Sequence, residues 1–120
     1  MFECEHDSKE SVYYLKSDSK YVGQCAYKVD DNMSFIRYFV LDKDFRNKNI
    51  SDLFMKMVCE EFKKQEIKLV KLITDEDSTK YKKLEKVYNR LGFERDLTFG
   101  EKFENRGDYV IRKVLMVKKL

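Results

Sequence analysis

Proline and tryptophan are absent from the sequence, and only four glycines and one histidine occur among its 120 residues. A chain without proline- or glycine-rich stretches is neither collagen-like nor a flexible linker, and nothing in it marks a boundary between domains. Three widely spaced cysteines, Cys4, Cys25 and Cys59, give no disulfide framework and, with His6 as the lone histidine, no zinc pattern. We therefore expect reduced thiols, no bound metal and no Ser-His-Asp or Cys-His catalytic site.

Long apolar runs and an excess of one charge are also missing. The longest apolar runs are a few residues, far short of the roughly 20 that a membrane helix needs, and no signal peptide is recognisable. The 25 basic and 22 acidic residues are interspersed and leave a net charge of +3, whereas nucleic-acid-binding proteins usually concentrate a basic face. Nine Phe and eight Tyr residues supply apolar area for a core. The sequence thus predicts one cytoplasmic domain, residues 1–120, that binds neither membrane nor nucleic acid.

Alternating apolar residues in the first third of the chain indicate β-strands. Three runs, residues 11–16, 21–29 and 34–41, are rich in aromatic and β-branched side chains. Short polar clusters at residues 17–19 and 30–32 separate them, and such side chains favour tight turns by bonding nearby backbone. We expect an antiparallel meander, in which the aromatic run at residues 11–15 is an edge strand able to pair with a second subunit.

The period then changes to that of helices. Apolar residues recur at helical spacing from Ile50 to Phe62, which predicts an amphipathic helix of about four turns. A central strand at residues 67–74 follows. Asp77 or Ser78 is expected to cap a second helix that carries an apolar stripe from Tyr81 to Leu91 and ends at Gly92. A short strand at residues 93–98, a polar loop and a closing strand at residues 109–117 complete the chain.

The predicted order of elements is β-β-β-α-β-α-β-β. A β-α-β unit joins its strands in parallel through a right-handed crossover. The expected fold class is therefore α/β, with an α+β mixed sheet in which an antiparallel meander leads into a β-α-β crossover and helices cover both faces.

Residues 39–55, FVLDKDFRNKNISDLFM, carry the first candidate site. A strand ends, a polar loop contributes Arg46 and Lys48, and a helix begins near Ile50. The first turn of a helix presents unpaired N–H groups and the positive end of the dipole, which together attract anions. Asn49 tolerates a left-handed backbone and Ser51 is small, so a diphosphate fits here. The local pattern alone favours the alternative, an ordinary capped helix with two solvated cations.

The second candidate site is in residues 87–94, VYNRLGFE. Tyr88 lies on the apolar stripe, one turn from the end of the helix. It is suited to donate a proton to a leaving group, while the structural alternative is a buried tyrosine whose hydroxyl is satisfied by a neighbour.

Both segments occur together, in this order and on these elements, and there the chain resembles the GNAT superfamily of acetyl-CoA-dependent N-acetyltransferases. The phosphate loop of that family reads R/Q-x-x-G-x-G/A between a strand and a helix, and Arg46 to Ser51, preceded by the usual aromatic Phe45, is similar to it. The aliphatic-Tyr-x-x-Leu-Gly-Phe signature of the family matches residues 87–93. Residues 115–120 also look like its final strand, so the resemblance covers residues 21–120.

The resemblance implies roles for particular positions. The strand backbone that would bond the pantetheine arm belongs to Phe39, Val40 and Leu41. The amides that would hold the pyrophosphate belong to Asn47, Lys48, Asn49, Ile50 and Ser51, with charge added by Arg46 and Lys48. Tyr88 would protonate the departing thiolate, and a backbone N–H near Leu41 would polarise the thioester. The implied chemistry is direct acyl transfer from acetyl-CoA to an amine, which depends on positioning.

Several positions depart from the family pattern. Asn49 and Ser51 replace the two loop glycines, and Tyr81 stands where many members carry Asn. Phe35 falls near the position of a glutamate base in some members, so a water chain or a distant carboxylate would take the amine proton. The region ahead of Tyr21 is short. We therefore expect an acceptor site that is open or is completed by a second subunit in a homodimer.

The acceptor is expected to be a cationic amine, so acidic clusters are its candidate binding groups. Asp75, Glu76 and Asp77 follow the predicted central strand, although a helix start favours carboxylates without any substrate. If these residues bind the acceptor, a small polyamine is the favoured substrate, because several carboxylates can hold a long polycation. Two alternatives remain: a peptide or protein amine as acceptor, and a non-catalytic CoA-binding or interaction module that kept the fold.

Overall fold

The computed structural model of the protein describes residues 1–80 and 82–120. Tyr81, which the sequence places on the second helix, lies outside the described residues. The strands are β1 (Phe2–Asp7), β2 (Val12–Ser17), β3 (Lys20–Asp30), β4 (Met33–Leu41), β5 (Leu69–Asp77), β6 (Glu94–Arg95), β7 (Glu101–Asn105) and β8 (Val110–Lys119). The α-helices are α1 (Lys48–Lys64) and α2 (Lys83–Arg90), and short 3-10 turns occupy Lys43–Phe45 and Ser78–Lys80.

The described strands form one mixed sheet in the order β1-β2-β3-β4-β5-β8-β6, with β7 also paired to β8. Strands β1 to β4 are an antiparallel meander, β4 and β5 are parallel, and β8 is antiparallel to β5. The parallel pair is joined through α1, as a β-α-β crossover requires. The mixed α/β class, the meander and the crossover predicted from the sequence are confirmed.

Strands β4 and β5 separate halfway along their length. They pair along four residues of each strand, Met33–Ile36 of β4 and Leu69–Leu72 of β5. Beyond that point β4 continues to Leu41 beside β3, while β5 continues to Asp77 beside β8. A gap therefore opens between two neighbouring strands in the middle of the sheet.

The helices lie on the same face of the sheet, so the expectation of a helix on each face was wrong. Phe54 of α1 stacks on Phe39 of β4 with ring centroids 5.1 Å apart. From α2, Glu85 receives a 2.8 Å bond from Arg112, whose side chain is on the same face of β8. Arg90 of α2 also bonds α1. The physical reason is that the apolar side chains of the sheet gather on this one face: α1 covers β2 to β4 through Phe54 and Phe62, and α2 packs on β5, β6 and β8.

The opposite face of the sheet carries no helix in the described part of the chain. Four apolar side chains that alternate onto it are well exposed: Tyr21 (52%), Tyr38 (43%), Val40 (47%) and Ile73 (38%). Residues on successive strand positions point to opposite faces, so the buried core and this uncovered face share the same strands. The gap between β4 and β5 opens onto this uncovered face, where Val40 of β4 and Ile73 of β5 lie on either side of it.

Several boundaries differ from the sequence-based expectation. Strand β1 was not predicted, and it takes the edge position expected for residues 11–15. The predicted polar loop before the last strand contains β7, which forms a hairpin with β8. The strand expected at residues 93–98 is reduced to Glu94–Arg95, and β5 extends three residues beyond Thr74. The second helix begins only at Lys83, after the left-handed residue Lys82 (φ 62°). Gly92 ends it with a φ of 95°, as predicted.

The three cysteines lie in or beside the core. Cys25 and Cys59 are buried in the core and Cys4 is half-buried, all as free thiols. Within residues 1–80 and 82–120, His, Cys, Asp and Glu side chains form no group of three or more that could hold a metal ion. None of the helices in that same part of the chain is long and apolar enough to cross a membrane.

Candidate active site

A cleft of about 580 Å³ lies where β4 and β5 separate. It is bounded by the end of β4, the loop and first turn of α1, and one side of α2. The lining residues are Phe39, Val40, Leu41, Arg46, Asn47, Lys48, Ser51, Lys83, Leu84, Val87, Tyr88 and Arg90. The two segments that the sequence singled out, residues 39–55 and 87–94, are thus brought together in one cavity.

The end of β4 presents an unpaired backbone edge to this cleft. Leu41 O accepts a 2.7 Å bond from Nε of Arg46, and the neighbouring Asp42 N–H donates to Val22 O of β3 at 2.8 Å. The N–H and C=O of one strand residue point the same way, and those of its neighbour point the other way. Leu41 and Phe39 therefore face the gap, whereas Val40 is turned towards β3. In the described part of the chain no strand pairs with this side of β4 beyond Ile36, so the Phe39 N–H and C=O and the Leu41 N–H face the gap.

The first turn of α1 offers fewer amides than the sequence pattern predicts. Asn47 caps the helix by accepting the Ile50 N–H at 3.0 Å, and its carbonyl accepts the Ser51 N–H at 3.0 Å. The Asn47 N–H bonds Phe45 O at 3.0 Å. Among the described residues, only the N–H groups of Lys48 and Asn49 in this turn have no recorded acceptor. These two point out of the positive end of a 17-residue helix.

Three cations surround this helix end, and sequence reasoning named only two of them. Lys48 is exposed, and Arg46 is anchored to the β4 backbone through its Nε. The third is Arg90, whose guanidinium bonds Ser51 Oγ at 3.1 Å and Asp52 at 3.3 Å. Helical spacing on α2 is the sequence signal that could have identified Arg90, because Lys83, Val87 and Arg90 fall on one stripe that faces the cleft.

Tyr88 lies at the inner wall of the cleft and is only 9% exposed. Its ring packs edge-on against Phe93, with centroids 5.7 Å apart. No hydrogen bond to its hydroxyl is recorded from the described residues, so this oxygen is not committed to a structural partner there. Burial, with a smaller contribution from Cys25, raises the pKa of Tyr88 to about 12. The phenol is therefore a neutral hydrogen-bond donor throughout the physiological pH range.

The three acidic residues expected to bind the acceptor do not lie together. They belong to β5, and the alternation of the strand puts Glu76 on the helix-bearing face and the other two on the uncovered face. Glu76 is buried and caps α2 by accepting the Leu84 N–H at 2.7 Å. Asp77 accepts two bonds from Thr79, at 2.8 and 3.0 Å, which hold its pKa below the usual value. Asp75 is exposed, 3.8 Å from Nζ of Lys113.

A further carboxylate on the uncovered face belongs to β7, which pairs with β8 and not with the strands that flank the gap. Glu104 of β7 binds Lys113 at 2.9 Å and Arg106 at 3.0 Å. Hydrogen bonds from Arg106 and Lys113 lower the pKa of Glu104 to about 2. Asp75, Asp77 and Glu104 thus form a group of carboxyl side chains at the rim of the uncovered face, with Lys113 between Asp75 and Glu104.

The whole chain, residues 1–120, matches the family model described as Acetyltransferase (GNAT) domain. The chain therefore belongs to this acetyltransferase family, and the resemblance read from its two signatures is confirmed. No curated protein sequence matches it.

Solved structures support the fold at low sequence identity. The Escherichia coli ribosomal-protein-S18-alanine N-acetyltransferase is 12% identical with a TM-score of 0.73, over 95% of this chain and 71% of that one. A GNAT family acetyltransferase from Elizabethkingia anophelis with acetyl-CoA bound is 17% identical with a TM-score of 0.70, over 91% and 75%. PaiA N-acetyltransferase from Thermoplasma acidophilum in complex with coenzyme A is 18% identical with a TM-score of 0.65, over 91% and 60%.

Proposed function

We propose that the protein transfers an acetyl group from acetyl-CoA to a primary amine, with the cleft between β4, α1 and α2 as the cofactor site. One observation carries the proposal. The free backbone edge of β4, the open first turn of α1 and the uncommitted hydroxyl of Tyr88 all face the same cavity. A pantetheine arm, a diphosphate and a leaving thiolate need these three kinds of group.

The cofactor is held by charge and by backbone groups. Phe39 and Leu41 bond the pantetheine amides as an added strand would, which extends the sheet across the gap. The N–H groups of Lys48 and Asn49, the helix dipole and the Lys48 ammonium bind the diphosphate. Arg46 acts mainly by fixing the carbonyl of Leu41, and so the end of β4, through its 2.7 Å bond.

The residues around the reacting atoms act by positioning and hydrogen bonding. Acetyl-CoA supplies an acetyl thioester, whose carbonyl carbon the neutral amine attacks. The C–N bond forms, the C–S bond breaks with departure of the thiolate, and the nitrogen releases its extra proton to water. Tyr88 donates a hydrogen bond to the sulfur. An alkyl thiol has a pKa of about 8.5, so full proton transfer from a phenol of pKa about 12 is uphill by about 5 kcal/mol. The role of Tyr88 is therefore to stabilise developing negative charge, and solvent supplies the thiol proton.

The acceptor amine is proposed to approach from the uncovered face of the sheet, on the other side of the gap. Asp75, Asp77 and Glu104 supply negative charge there, which favours a small polyamine. A peptide or protein amine is the second candidate, since an uncovered sheet face with exposed Tyr38 and Val40 leaves room for a longer chain. A homodimer and a cytoplasmic location stay predictions, and the solution mass tests the first of them.

The test is release of free thiol from acetyl-CoA by the purified chain, with spermidine, putrescine, single amino acids and a lysine peptide as acceptors. Turnover with one class establishes the acetyltransferase and names its acceptor. Asp75→Asn is expected to raise KM for a polyamine severalfold and to leave the Kd for coenzyme A unchanged. Glu3→Gln, an exposed carboxylate on β1, is the matched control. Coenzyme A binding without turnover on any acceptor would instead favour the non-catalytic CoA-binding module.

A further inference from the structure

Arg90 is the last residue of α2, and its guanidinium reaches across to the first turn of α1. Its Nε donates to Asp52 Oδ1 at 3.3 Å, and one terminal nitrogen donates to Ser51 Oγ at 3.1 Å. The side chain is 32% exposed and lines the cleft beside Lys48. Two bonds from different positions on α1 therefore fix the plane of this cation at the mouth of the cavity.

The geometry leaves most of the guanidinium available. Arginine has five N–H donors in a planar fork, and the two recorded bonds use one from Nε and one from a terminal nitrogen. The remaining three belong to the terminal nitrogens, the edge that binds a phosphate through two parallel bonds. Because Asp52 engages Nε, at the side of the fork, it orients the guanidinium without occupying that edge.

The first turn of α1 has few groups of its own with which to bind a diphosphate. Asn49 and Ser51 stand at the two positions where the family's phosphate loop has glycine. Of the amides from Asn47 to Ser51, only those of Lys48 and Asn49 lack a recorded acceptor within the described residues. A diphosphate held by two amides and Lys48 alone would carry uncompensated charge. We propose that Arg90 binds the diphosphate of the cofactor and that Asp52 is its positioning residue, an assignment that rests on the proposed function.

A structural alternative makes the opposite prediction. If Arg90 serves only as an ion pair between α1 and α2, its loss changes stability and the shape of the whole cleft, so kcat falls together with affinity. If it binds phosphate, the effect is confined to ligands that carry phosphate. Pantetheine, which ends before the diphosphate, separates the two because it fills the gap beside β4 without reaching Arg90.

The experiment compares Arg90→Met with wild type. Loss of a charged hydrogen-bond donor is expected to raise the Kd for coenzyme A and the KM for acetyl-CoA by about 10- to 100-fold. The Kd for pantetheine and kcat at saturation should stay within about twofold of wild type, since no phosphate contact is involved. The affinity of Arg90→Met should also depend less on salt concentration. Lys64→Met is the control, because it removes an exposed cation paired to Glu61 at 3.2 Å in the last turn of α1.

Asp52→Asn tests the positioning role. It should raise the Kd for coenzyme A severalfold, and less than Arg90→Met does. The double variant should match Arg90→Met alone, because Asp52 acts only through Arg90. Unchanged coenzyme A affinity in Arg90→Met, or an equal loss for pantetheine, overturns the inference and leaves the proposed function standing. A wild-type chain that binds no coenzyme A overturns the proposed function, and this inference with it.

Discussion

Replacing Tyr88 by Phe removes one oxygen atom from the wall of the cleft and keeps the ring that packs against Phe93. Because no described residue is recorded as bonding the hydroxyl, folding loses no hydrogen bond, and removal of a buried hydroxyl without a partner is neutral or slightly stabilising. The free energy of unfolding should therefore change by less than about 0.5 kcal/mol. Any large loss of activity in Tyr88→Phe can therefore be attributed to the missing hydroxyl and not to unfolding.

The expected effect on catalysis is large. Removal of one preorganised donor from developing negative charge costs roughly 3 kcal/mol, or about 100-fold in kcat. The Kd for coenzyme A should stay within about twofold, since the sulfur of the free thiol is neutral. Thiol release at saturating acetyl-CoA gives kcat, and calorimetry gives Kd. Tyr14→Phe, which alters a half-buried tyrosine on β2, is the control and should leave both values unchanged.

The pH profile provides an independent check. With a pKa of about 12, Tyr88 stays protonated to about pH 11, so kcat/KM should rise with pH as the amine loses its proton and should show no fall due to this phenol. The reasoning is refuted if Tyr88→Phe keeps full activity. It is also refuted if the wild type loses activity near pH 9 to 10 and the variant does not, because the phenol would then ionise at an ordinary pKa.

Three further predictions concern the fold that builds the cleft. Arg112→Met leaves the buried carboxylate of Glu85 without its 2.8 Å partner and should lower the free energy of unfolding by about 3 kcal/mol, measured in urea; a change under about 1 kcal/mol would contradict a buried pair. Gly23→Ala places a Cβ 2.7 Å from Cδ2 of Leu41, which should cost about 1–3 kcal/mol and weaken coenzyme A binding at the end of β4. Burial raises the pKa of Cys4 to about 11, with a smaller contribution from Glu61. The folded chain thus keeps this proton to higher pH than the unfolded chain, so stability should fall as pH rises from about 9 to 11, and flat urea midpoints over that range would contradict it.

The regular elements near the two signatures were predictable because their signals are local. The apolar spacing from Ile50 to Phe62 describes α1 within two residues at each end, and Gly92 ends the second helix with the positive φ that its lack of a Cβ permits. Strand β7 was missed because its five exposed residues have no apolar alternation. Its pairing is specified by β8, which supplies the partner edge and the buried Arg112.

The candidate site was predictable in part. The sequence located the end of β4, the start of α1 and Tyr88, since each belongs to a motif of adjacent residues. It missed that Asn47 takes the Ile50 amide for its own cap, and it grouped Glu76 with Asp75 and Asp77. Strand alternation separates those three, but this became visible only once β5 was known to run three residues further than its apolar pattern.

By itself the sequence determined the period of most elements, the family signatures and the charges at the helix end, because these depend on residues at most six apart. The tertiary structure decided which groups share the cleft. Divergence of β4 from β5 depends on β3 and β8 competing for them as partners, and the bond between Arg90 and Ser51 joins residues 39 positions apart. Contacts of that length exist only after the sheet has brought α1 and α2 to one face, so no local pattern encodes them.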